Sequence, residues 1–164
     1  LVENGITWAG RAQKLLAAIC PRTVYSIRPD QQRAYATAIP GSIFAVDSER
    51  YKNIGPLGGL LSVHEQFPEN DILLLACDMV CVEAKDLQEL LQSSGEIRVY
   101  RLGDFFEPLC AFYSAAALAQ ISVLYREKQM TASLQKALLL PELRVTSLVP
   151  ADSGRLRSQN LPQA

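Results

Sequence analysis

The chain has 164 residues, with 16 basic and 17 acidic side chains and a formal net charge of −1 at pH 7. Its lysines and arginines are scattered, which argues against a nucleic-acid-binding face. The apolar runs are too short to span a bilayer. The length fits one domain with a hydrophobic core, so we expect a single domain over residues 1–164 in the cytoplasm.

The four cysteines, Cys20, Cys77, Cys81 and Cys110, include no Cys-x-x-Cys pair, and the single histidine, His64, is distant from them in sequence. A structural zinc site needs tighter clustering of its ligands. Three of the cysteines, all but Cys20, lie in apolar segments that resemble strands. We therefore expect reduced, buried thiols.

Predicted helices and strands alternate along the chain, which predicts an α/β fold with a mostly parallel sheet flanked by helices. A helix from Trp8 stops at Pro21, and the polar tail from Asp152 is expected to be partly mobile. The further predicted helices are near 31–33 and over 59–66, 84–92, 115–125 and 131–139. The predicted strands are 23–27, 42–46, an apolar strand from Asp71 towards Asp78, 97–100, 109–113 and 144–149.

The run from Asp71 to Val82 is almost wholly apolar and carries one internal carboxylate, Asp78. A strand that is apolar on both faces is typical of the centre of a helix-covered parallel sheet. Such sheets bind ligands beyond the carboxyl ends of their strands, where Asp78 is predicted to lie. A carboxylate there is solvated, paired or bound to a cation.

Asp47 follows the 42–46 strand and so occupies the same kind of position as Asp78. Two carboxylates at neighbouring strand ends suit a nucleotide, one for the sugar or base and one for Mg²⁺. The segment Gly55-Pro56-Leu57-Gly58-Gly59 leads into a helix, and its N–H groups could face a base or a phosphate. The structural alternatives are a helix cap at Asp47 and a simple tight turn at the glycines.

Other polar residues are interpreted as structural. Glu107 precedes a strand and reads by itself as a turn residue, whereas Arg98 and Arg101 are expected to be solvated charges. His64 is expected to be exposed on its helix, and one histidine makes a catalytic triad improbable.

In their order and spacing, these residues resemble the MobA-like nucleotidyltransferases, above all the molybdenum cofactor guanylyltransferases. The most specific combination is the glycine segment followed by Cys-Asp-Met at the end of an apolar strand. The resemblance extends over nearly the whole chain, and its pieces are residues 4–5, the Trp8 helix, 47–48, 55–59, 75–79, 107–113 and 160–162.

The resemblance implies a Rossmann-like nucleotide-binding fold and Mg²⁺-dependent transfer of a nucleoside monophosphate from an NTP, with release of pyrophosphate. For the guanylyltransferases, the substrates are GTP and molybdopterin. By position, the resemblance assigns metal binding and catalysis to Asp78, nucleotide contacts to Asp47, Gly58 and Gly59, an acceptor-side segment to Glu107, and a place near the C-terminal motif to Asn160.

The sequence also departs from the family pattern. Family members begin with a strand and a glycine-rich loop that carries an arginine and a lysine, and these would lie upstream of Leu1, so the domain is predicted to be N-terminally incomplete. Val80 and Leu161 replace family proline and threonine positions. Arg28 lies near a position where guanylyltransferases often have an asparagine beside the base, which leaves the choice of base open.

Two alternatives remain at this stage. One is a transferase for another NTP or acceptor, of cytidylyl or sugar-phosphate type. The other is a non-catalytic adaptor that retains the fold without the phosphate loop. We expect a monomer or weak homo-oligomer, with molybdoenzymes or cofactor-biosynthesis proteins as partners and no nucleic-acid or membrane partner.

Overall fold

The computed structural model describes residues 2, 3 and 6–158, with side chains from Thr7 onwards. It confirms the α/β class. The α-helices are α1 (Trp8–Ala17), α2 (Gln32–Ala38), α3 (Pro56–Gln66), α4 (Ala84–Gln92), α5 (Ala115–Arg126) and α6 (Leu134–Ala137). The strands are β1 (Val2–Glu3), β2 (Ile6–Thr7), β3 (Val24–Ile27), β4 (Ile43–Val46), β5 (Ile72–Leu75), β6 (Ile97–Leu102), β7 (Phe105–Tyr113) and β8 (Val145–Leu148).

The largest sheet has four strands in the order β5-β7-β6-β8. The long strand β7 pairs antiparallel with both β5 and β6, whereas β8 is parallel to β6. The β6–β7 connection turns at Gly103, whose φ of +61° is readily adopted only by glycine. The sheet is therefore mixed. Both antiparallel pairs involve β7, which forms with β6 the hairpin that the sequence predicts around Gly103.

A second, parallel sheet consists of β3 and β4 alone, with Val24 opposite Ile43 and Ile27 opposite Val46. A short antiparallel hairpin of β1 and β2 precedes α1. The β3–β4 sheet contacts the rest of the molecule mainly through α3. In the part of the chain that the structure describes, no backbone hydrogen bond joins it to the four-stranded sheet.

Two hydrophobic clusters cover opposite faces of the four-stranded sheet. One contains buried residues of α3, α5 and α6, together with alternate residues of β6 and β7. The other contains α4, the turn before it and the tail residue Leu156. Alternation along β5 follows the two faces, since Ile72 and Leu74 pack against the first cluster and Leu73 and Leu75 against the second.

Helix α4 spans the predicted residues because Leu87 and Leu90 form its inward face. Its C-terminal end is capped by Arg98, which donates hydrogen bonds to the carbonyls of Leu90 (2.9 Å) and Leu91 (2.8 Å). The Arg98 guanidinium also stacks on the ring of Phe112, 3.5 Å from its centroid. The expectation that Arg98 is a solvated charge is therefore wrong.

The tail is anchored as far as residue 158, where the description ends. Asp152 accepts a hydrogen bond from the Gly154 N–H (2.8 Å) and begins a 3-10 turn over Ser153–Leu156. Leu156 is 1% exposed, and Arg155 forms ion pairs with α4. The expectation of a mobile tail from Asp152 fails for this segment, because it has a buried apolar residue and a largely buried, ion-paired cation.

No helix within the described ranges is long and apolar enough to cross a membrane.

Candidate functional site

Strands β3 and β5 run in the same direction, as the course of α3 shows. The first turn of α3 lies at the carboxyl end of β3, where Gly59 abuts Ser26. Its last turn lies near the start of β3, because Arg22 stacks over Phe67 at 5.3 Å. Strand β5 begins a few residues after Phe67. The carboxyl ends of β3, β4 and β5 therefore share one edge, where open α/β sheets bind ligands.

A cavity of about 1230 Å³, here called the central cleft, lies between β3 and β5. Its lining includes Asp47, Gly59 and Asp78 at this edge. The structure thus brings together three of the residues singled out from the sequence.

Asp47 lies directly after β4 and is half-buried. Its N–H donates to the Ile27 carbonyl (2.9 Å), which extends the pairing of β3 with β4. Its Oδ1 accepts a hydrogen bond from the Ser26 hydroxyl at 3.4 Å. Burial raises the pKa of Asp47, while the Ser26 hydroxyl and the charge of Arg28 oppose that rise. The Asp47 carboxylate is thus a positioned hydrogen-bond acceptor at the cleft, and Asp47 does not cap a helix.

Gly59 is buried and lines the cleft, and a side chain there would have to displace the Ser26 hydroxyl. A Cβ there would collide with the Ser26 Oγ and lie 3.6 Å from Asp47 Oδ1. Helix α3 begins at Pro56, inside the glycine segment, because Gly55 adopts a φ of +65° and proline fits the first helical position. A ligand at this end of the cleft would meet bare backbone at Gly59.

Gly58 has a different environment. It is buried against the Tyr51 carbonyl and does not line the cleft. Its own carbonyl accepts a hydrogen bond from the Ser62 hydroxyl (2.7 Å), which in turn accepts one from the Ser48 N–H (2.8 Å). Gly58 therefore serves the packing of α3 against the end of β4, and its nucleotide contact remains a prediction.

Asp78 is half-buried in the turn that follows β5, and contacts on both sides hold this turn. Met79 and Val82 are buried in the second hydrophobic cluster, the one that contains α4. The Arg11 guanidinium of α1 donates to the Val82 carbonyl at 2.9 Å. Within the described residues, the Asp78 carboxylate forms no hydrogen bond or ion pair with the protein.

Glu107 lies on β7 beside this turn, because Ala76 donates to the Leu109 carbonyl at 2.8 Å. Its carboxylate accepts a hydrogen bond from the Leu109 N–H at 3.3 Å. Burial raises the pKa of Glu107, and the negative charge of Asp78 raises it further. The charge of Asp78 therefore acts on Glu107, which a simple turn role for Glu107 does not predict.

Asp78 and Glu107 fit the requirements of Mg²⁺. This cation is usually held by one or two carboxylates while water and substrate phosphates complete its coordination. Among the described residues, no group of three or more His, Cys, Asp or Glu side chains could hold a metal by itself. An unpartnered, half-buried Asp78 is the carboxylate most available to such a cation.

Arg28 lies just beyond β3 and lines the cleft. Its guanidinium forms a two-pronged ion pair with Asp30, with both N–O distances at 3.1 Å. The pair is solvent-exposed, and it raises the pKa of Arg28 and lowers that of Asp30. A cation and a carboxylate are thus fixed side by side near Asp47.

Several predictions about reactive groups are corrected. Cys77 and Cys81 are exposed because they lie in the turn around Asp78, although Cys110 is buried as expected. The side chain of His64 is only 8% exposed, so the expectation that it is exposed on its helix is wrong. Burial lowers the pKa of His64, against the opposing charge of Glu69.

Asn160 lies outside the described residues. Sequence reasoning also missed Ser26 and Arg11, which position Asp47 and the Asp78 turn. Ser26 carried a signal, since it is the one serine within an otherwise apolar or aromatic strand.

An α/β fold with parallel strands that end at a cleft lined by carboxylates is typical of ligand-binding proteins, among them those that bind nucleotides. Residues 1–142 match the family described as the MobA-like NTP transferase domain. The chain belongs to this family, a family of nucleotidyltransferases.

Two curated relatives are similar to the chain. A molybdenum cofactor biosynthesis bifunctional protein of Synechocystis sp. is 30% identical over 109 residues, which are 63% of this chain and 30% of that protein. A protein of Nostoc sp. described as a probable molybdenum cofactor guanylyltransferase is 32% identical over 112 residues, 65% of this chain and 53% of that protein. The chain thus matches about a third and about half of their lengths.

Two solved structures share the fold. Molybdopterin-guanine dinucleotide biosynthesis protein A from Archaeoglobus fulgidus superposes with a TM-score of 0.64 at 19% identity, covering 91% of this chain and 73% of its own. A protein from Aquifex aeolicus superposes with a TM-score of 0.68 at 13% identity, covering 94% and 78%.

Proposed function

We propose that the protein is a molybdenum cofactor guanylyltransferase that transfers GMP from GTP to molybdopterin and releases pyrophosphate. The observation that carries the proposal is that Asp47, Gly59 and Asp78 all line the central cleft. Support also comes from the family and from the names of the Synechocystis and Nostoc relatives.

In this reaction, an oxygen of the acceptor phosphate attacks the α-phosphorus of GTP. A new P–O bond forms as the bond to the β-phosphate oxygen breaks, and that oxygen leaves with pyrophosphate. The reactants are all anions, so the protein has to position them and offset their charge rather than supply a nucleophile. A bound Mg²⁺ would supply positive charge at the phosphates.

The position of each residue at the cleft suits it to one of these tasks. Asp78, with Glu107 beside it, would hold the metal. Asp47 would accept hydrogen bonds from the sugar or base, and the bare backbone of Gly59 would allow the nucleotide to approach α3 closely. The Arg28–Asp30 ion pair would present hydrogen-bond donors and acceptors beside the sugar or base.

The direct test is turnover of GTP and molybdopterin with Mg²⁺, compared between the unaltered protein and an Asp78→Asn variant. Loss of one metal ligand at constant size should lower kcat/KM by at least about 100-fold, the scale seen when one preorganised electrostatic contact is removed from an active site. Asp104→Asn is the matched control, because Asp104 is fully exposed at the β6–β7 turn and should leave activity unchanged.

Parallel assays with CTP, ATP and UTP, and with sugar phosphates as acceptors, test the choice of substrates. A preference for another NTP or acceptor would reassign the protein within the nucleotidyltransferases. Nucleotide binding without turnover of any pair would favour the adaptor alternative, and full activity of Asp78→Asn would remove Asp78 from the metal site.

A further inference from the structure

Arg28 carries a guanidinium edge that is held in place and has no partner in the described part of the chain. Its Nε and Nη2 each donate to a different oxygen of Asp30, at 3.1 Å in both cases. A guanidinium has five N–H donors in a planar fork, and this ion pair uses only one of its two-donor edges. The other edge, Nη1 with the second hydrogen of Nη2, is available to a ligand that has two adjacent acceptors. The pair is exposed, so a ligand in the central cleft can reach this edge.

The backbone around Arg28 is also held. Its N–H donates to Gln31 Oε1 at 3.0 Å, and its carbonyl accepts a hydrogen bond from the Gln31 N–H at 3.0 Å. Pro29, whose ring restricts φ, begins the 3-10 turn that carries Asp30. A side chain that is already positioned loses less conformational freedom when a ligand binds, which favours selective recognition.

Arg28 lies on the side of β3 that faces Asp47. Its backbone is extended, with φ −73° and ψ 154°, so the alternation of the strand continues through it. Residues two apart on a strand share a face, and Ser26 contacts Asp47 and abuts Gly59. Burial raises the pKa of Asp47 and the charge of Arg28 opposes that rise, as expected for neighbouring side chains.

The surroundings of Arg28 suit a neutral polar ring better than a phosphate. Asp30 offsets the charge of Arg28 directly, and Asp47 adds a second negative charge nearby. Two carboxylates repel a phosphate, whereas they accept hydrogen bonds from ring N–H and amino groups. Asp78, which would hold the metal and with it the phosphates, follows β5 on the other wall of the cleft. A nucleotide bound in this way extends its base towards Arg28 and Asp47.

Donors at Arg28 beside an acceptor at Asp47 match the edge of one purine. Guanine presents N7 and O6 as adjacent acceptors, followed by N1–H and the 2-amino group as donors. Adenine has an amino group in place of O6, which would face the donors of Arg28. A two-donor contact from arginine to O6 and N7 is also the commonest base-specific contact to guanine in protein–DNA complexes.

We propose that Arg28 selects guanine by donating to O6 and N7 of the base, and that Asp30 is a positioning residue that orients the Arg28 guanidinium without touching the nucleotide. This role for Arg28 rests on the proposed function, which has the phosphates at Asp78. It adds the residue that sets the choice of base and the two atoms of the base that it contacts.

The test measures the affinity of the protein for the Mg²⁺ complexes of GTP, 7-deaza-GTP, ATP and CTP by calorimetry. 7-Deaza-GTP has carbon in place of N7 and is otherwise identical to GTP, so it lacks one of the two acceptors. A good two-donor contact to a base discriminates by about 5- to 150-fold. We therefore expect GTP to bind at least about 10-fold more tightly than ATP and about 5-fold more tightly than 7-deaza-GTP.

Substitution of Arg28 separates contact with the base from attraction of the phosphates. Arg28→Ala should remove the preference over 7-deaza-GTP and most of the preference over ATP. Arg28→Lys keeps the charge without the two-donor edge and should not restore either preference. Arg33→Ala is the matched control, because Arg33 is exposed on α2 and does not line the cleft. Equal weakening of all four nucleotides by Arg28→Ala, with recovery in Arg28→Lys, would show a phosphate contact and overturn the proposal.

Asp30→Ala tests the positioning role. It should lower the preference for GTP over 7-deaza-GTP when Arg28 is present. It should have no further effect in combination with Arg28→Ala, since Asp30 acts only through Arg28. An additional loss in the double variant would show that Asp30 contacts the nucleotide itself and would overturn its positioning role.

The outcomes distinguish this proposal from the proposed function. Turnover of GTP with a base preference that survives Arg28→Ala would overturn the role of Arg28 and leave the guanylyltransferase function standing. A preference for CTP that Arg28→Ala removes would overturn the choice of guanine. Failure of the unaltered protein to bind any of the four nucleotides would overturn both proposals.

Discussion

Gly59 brings α3 into contact with β3, and its lack of a side chain is the condition for that contact. In an exposed helix, Gly→Ala stabilises by up to about 1 kcal/mol. Here the added methyl group would meet Ser26, so Gly59→Ala should instead lower the free energy of unfolding by about 1–3 kcal/mol. It should also weaken nucleotide binding at the cleft. Urea unfolding and nucleotide titration measure the two effects.

Ser26→Gly provides the matched background for this test. Without the Ser26 hydroxyl, the collision is removed, and Gly59→Ala should become neutral or stabilising. A loss of stability that is equal in both backgrounds would contradict a steric origin at Ser26.

Glu107 should make stability depend on pH in a defined direction. Its folded-state pKa lies above the ordinary value of 4.5, so between the two pKa values the folded protein binds more protons than the unfolded chain. Its contribution to stability is therefore lost as the pH rises from the unfolded pKa through the folded one. Glu107→Gln should stabilise the protein at pH 7 relative to pH 4, as measured by urea unfolding at both values.

The charge of Asp78 is one cause of this shift. In the Asp78→Asn variant, the Glu107 carboxyl should titrate at a lower pH than in the unaltered protein, which NMR can follow directly. An unchanged Glu107 titration would show that burial alone sets its pKa.

At the scale of elements, the tail and α4 hold the turn that carries Asp78. The Arg155 side chain is 13% exposed and pairs with Glu83 (2.9 Å) and with the buried Asp86 (3.1 Å). Asp86 also accepts a hydrogen bond from the Glu83 N–H at the start of α4 (2.9 Å). Leu156 and Met79 belong to the same hydrophobic cluster. The tail thus restrains both ends of the Asp78 turn.

Arg155→Ala should lower the free energy of unfolding by about 3 kcal/mol, since it leaves a buried carboxylate without its cation. It should also increase amide exchange over residues 77–83. Arg157→Ala is the matched control, because Arg157 is exposed and should change stability by less than about 0.5 kcal/mol. Equal effects of the two substitutions would show that the tail does not restrain the turn.

The sequence predicts elements well where periodicity is strong and less well where one contact decides the outcome. Helix α4 and the β6–β7 hairpin follow from their leucine spacing and from Gly103. The anchored tail could not be predicted, because Arg155 needs a partner 72 residues away. Likewise, α6 is a single turn over Leu134–Ala137, shorter than its apolar content suggests.

The candidate site was predictable in part for the same reason. Asp47 and Asp78 follow apolar strands, so their place at the strand ends can be read from sequence. The different environments of Gly58 and Gly59 could not be predicted. Both are glycines in one helix, and only the residue that each one faces distinguishes them, Tyr51 for Gly58 and Ser26 for Gly59. Nor does an apolar run reveal which strand edges find partners.

At the scale of the whole molecule, β3 and β4 form a two-stranded unit that contacts the rest mainly through α3. Neither strand contributes a residue to the two hydrophobic clusters. Amides of β3 and β4 should therefore exchange with solvent by local opening, at a lower free energy than those of β6 and β7. Native-state hydrogen exchange at increasing denaturant measures both. A single global opening for all four strands would contradict this division.

Within the described residues, β3 pairs only with β4 and β5 only with β7, so the strand edges that face the central cleft have no partner there. This has a consequence for solubility. Unpaired edges can template strands from other molecules, which is how many native proteins begin to aggregate. Here α1 and α3 cover the two edges and shield them from other molecules. Helix α1 is the weaker of the two, since only Ala12 among its residues is buried. Detachment of α1 would expose an unpaired strand edge while the rest of the chain is still folded. The protein would then aggregate under conditions in which most of its structure is intact.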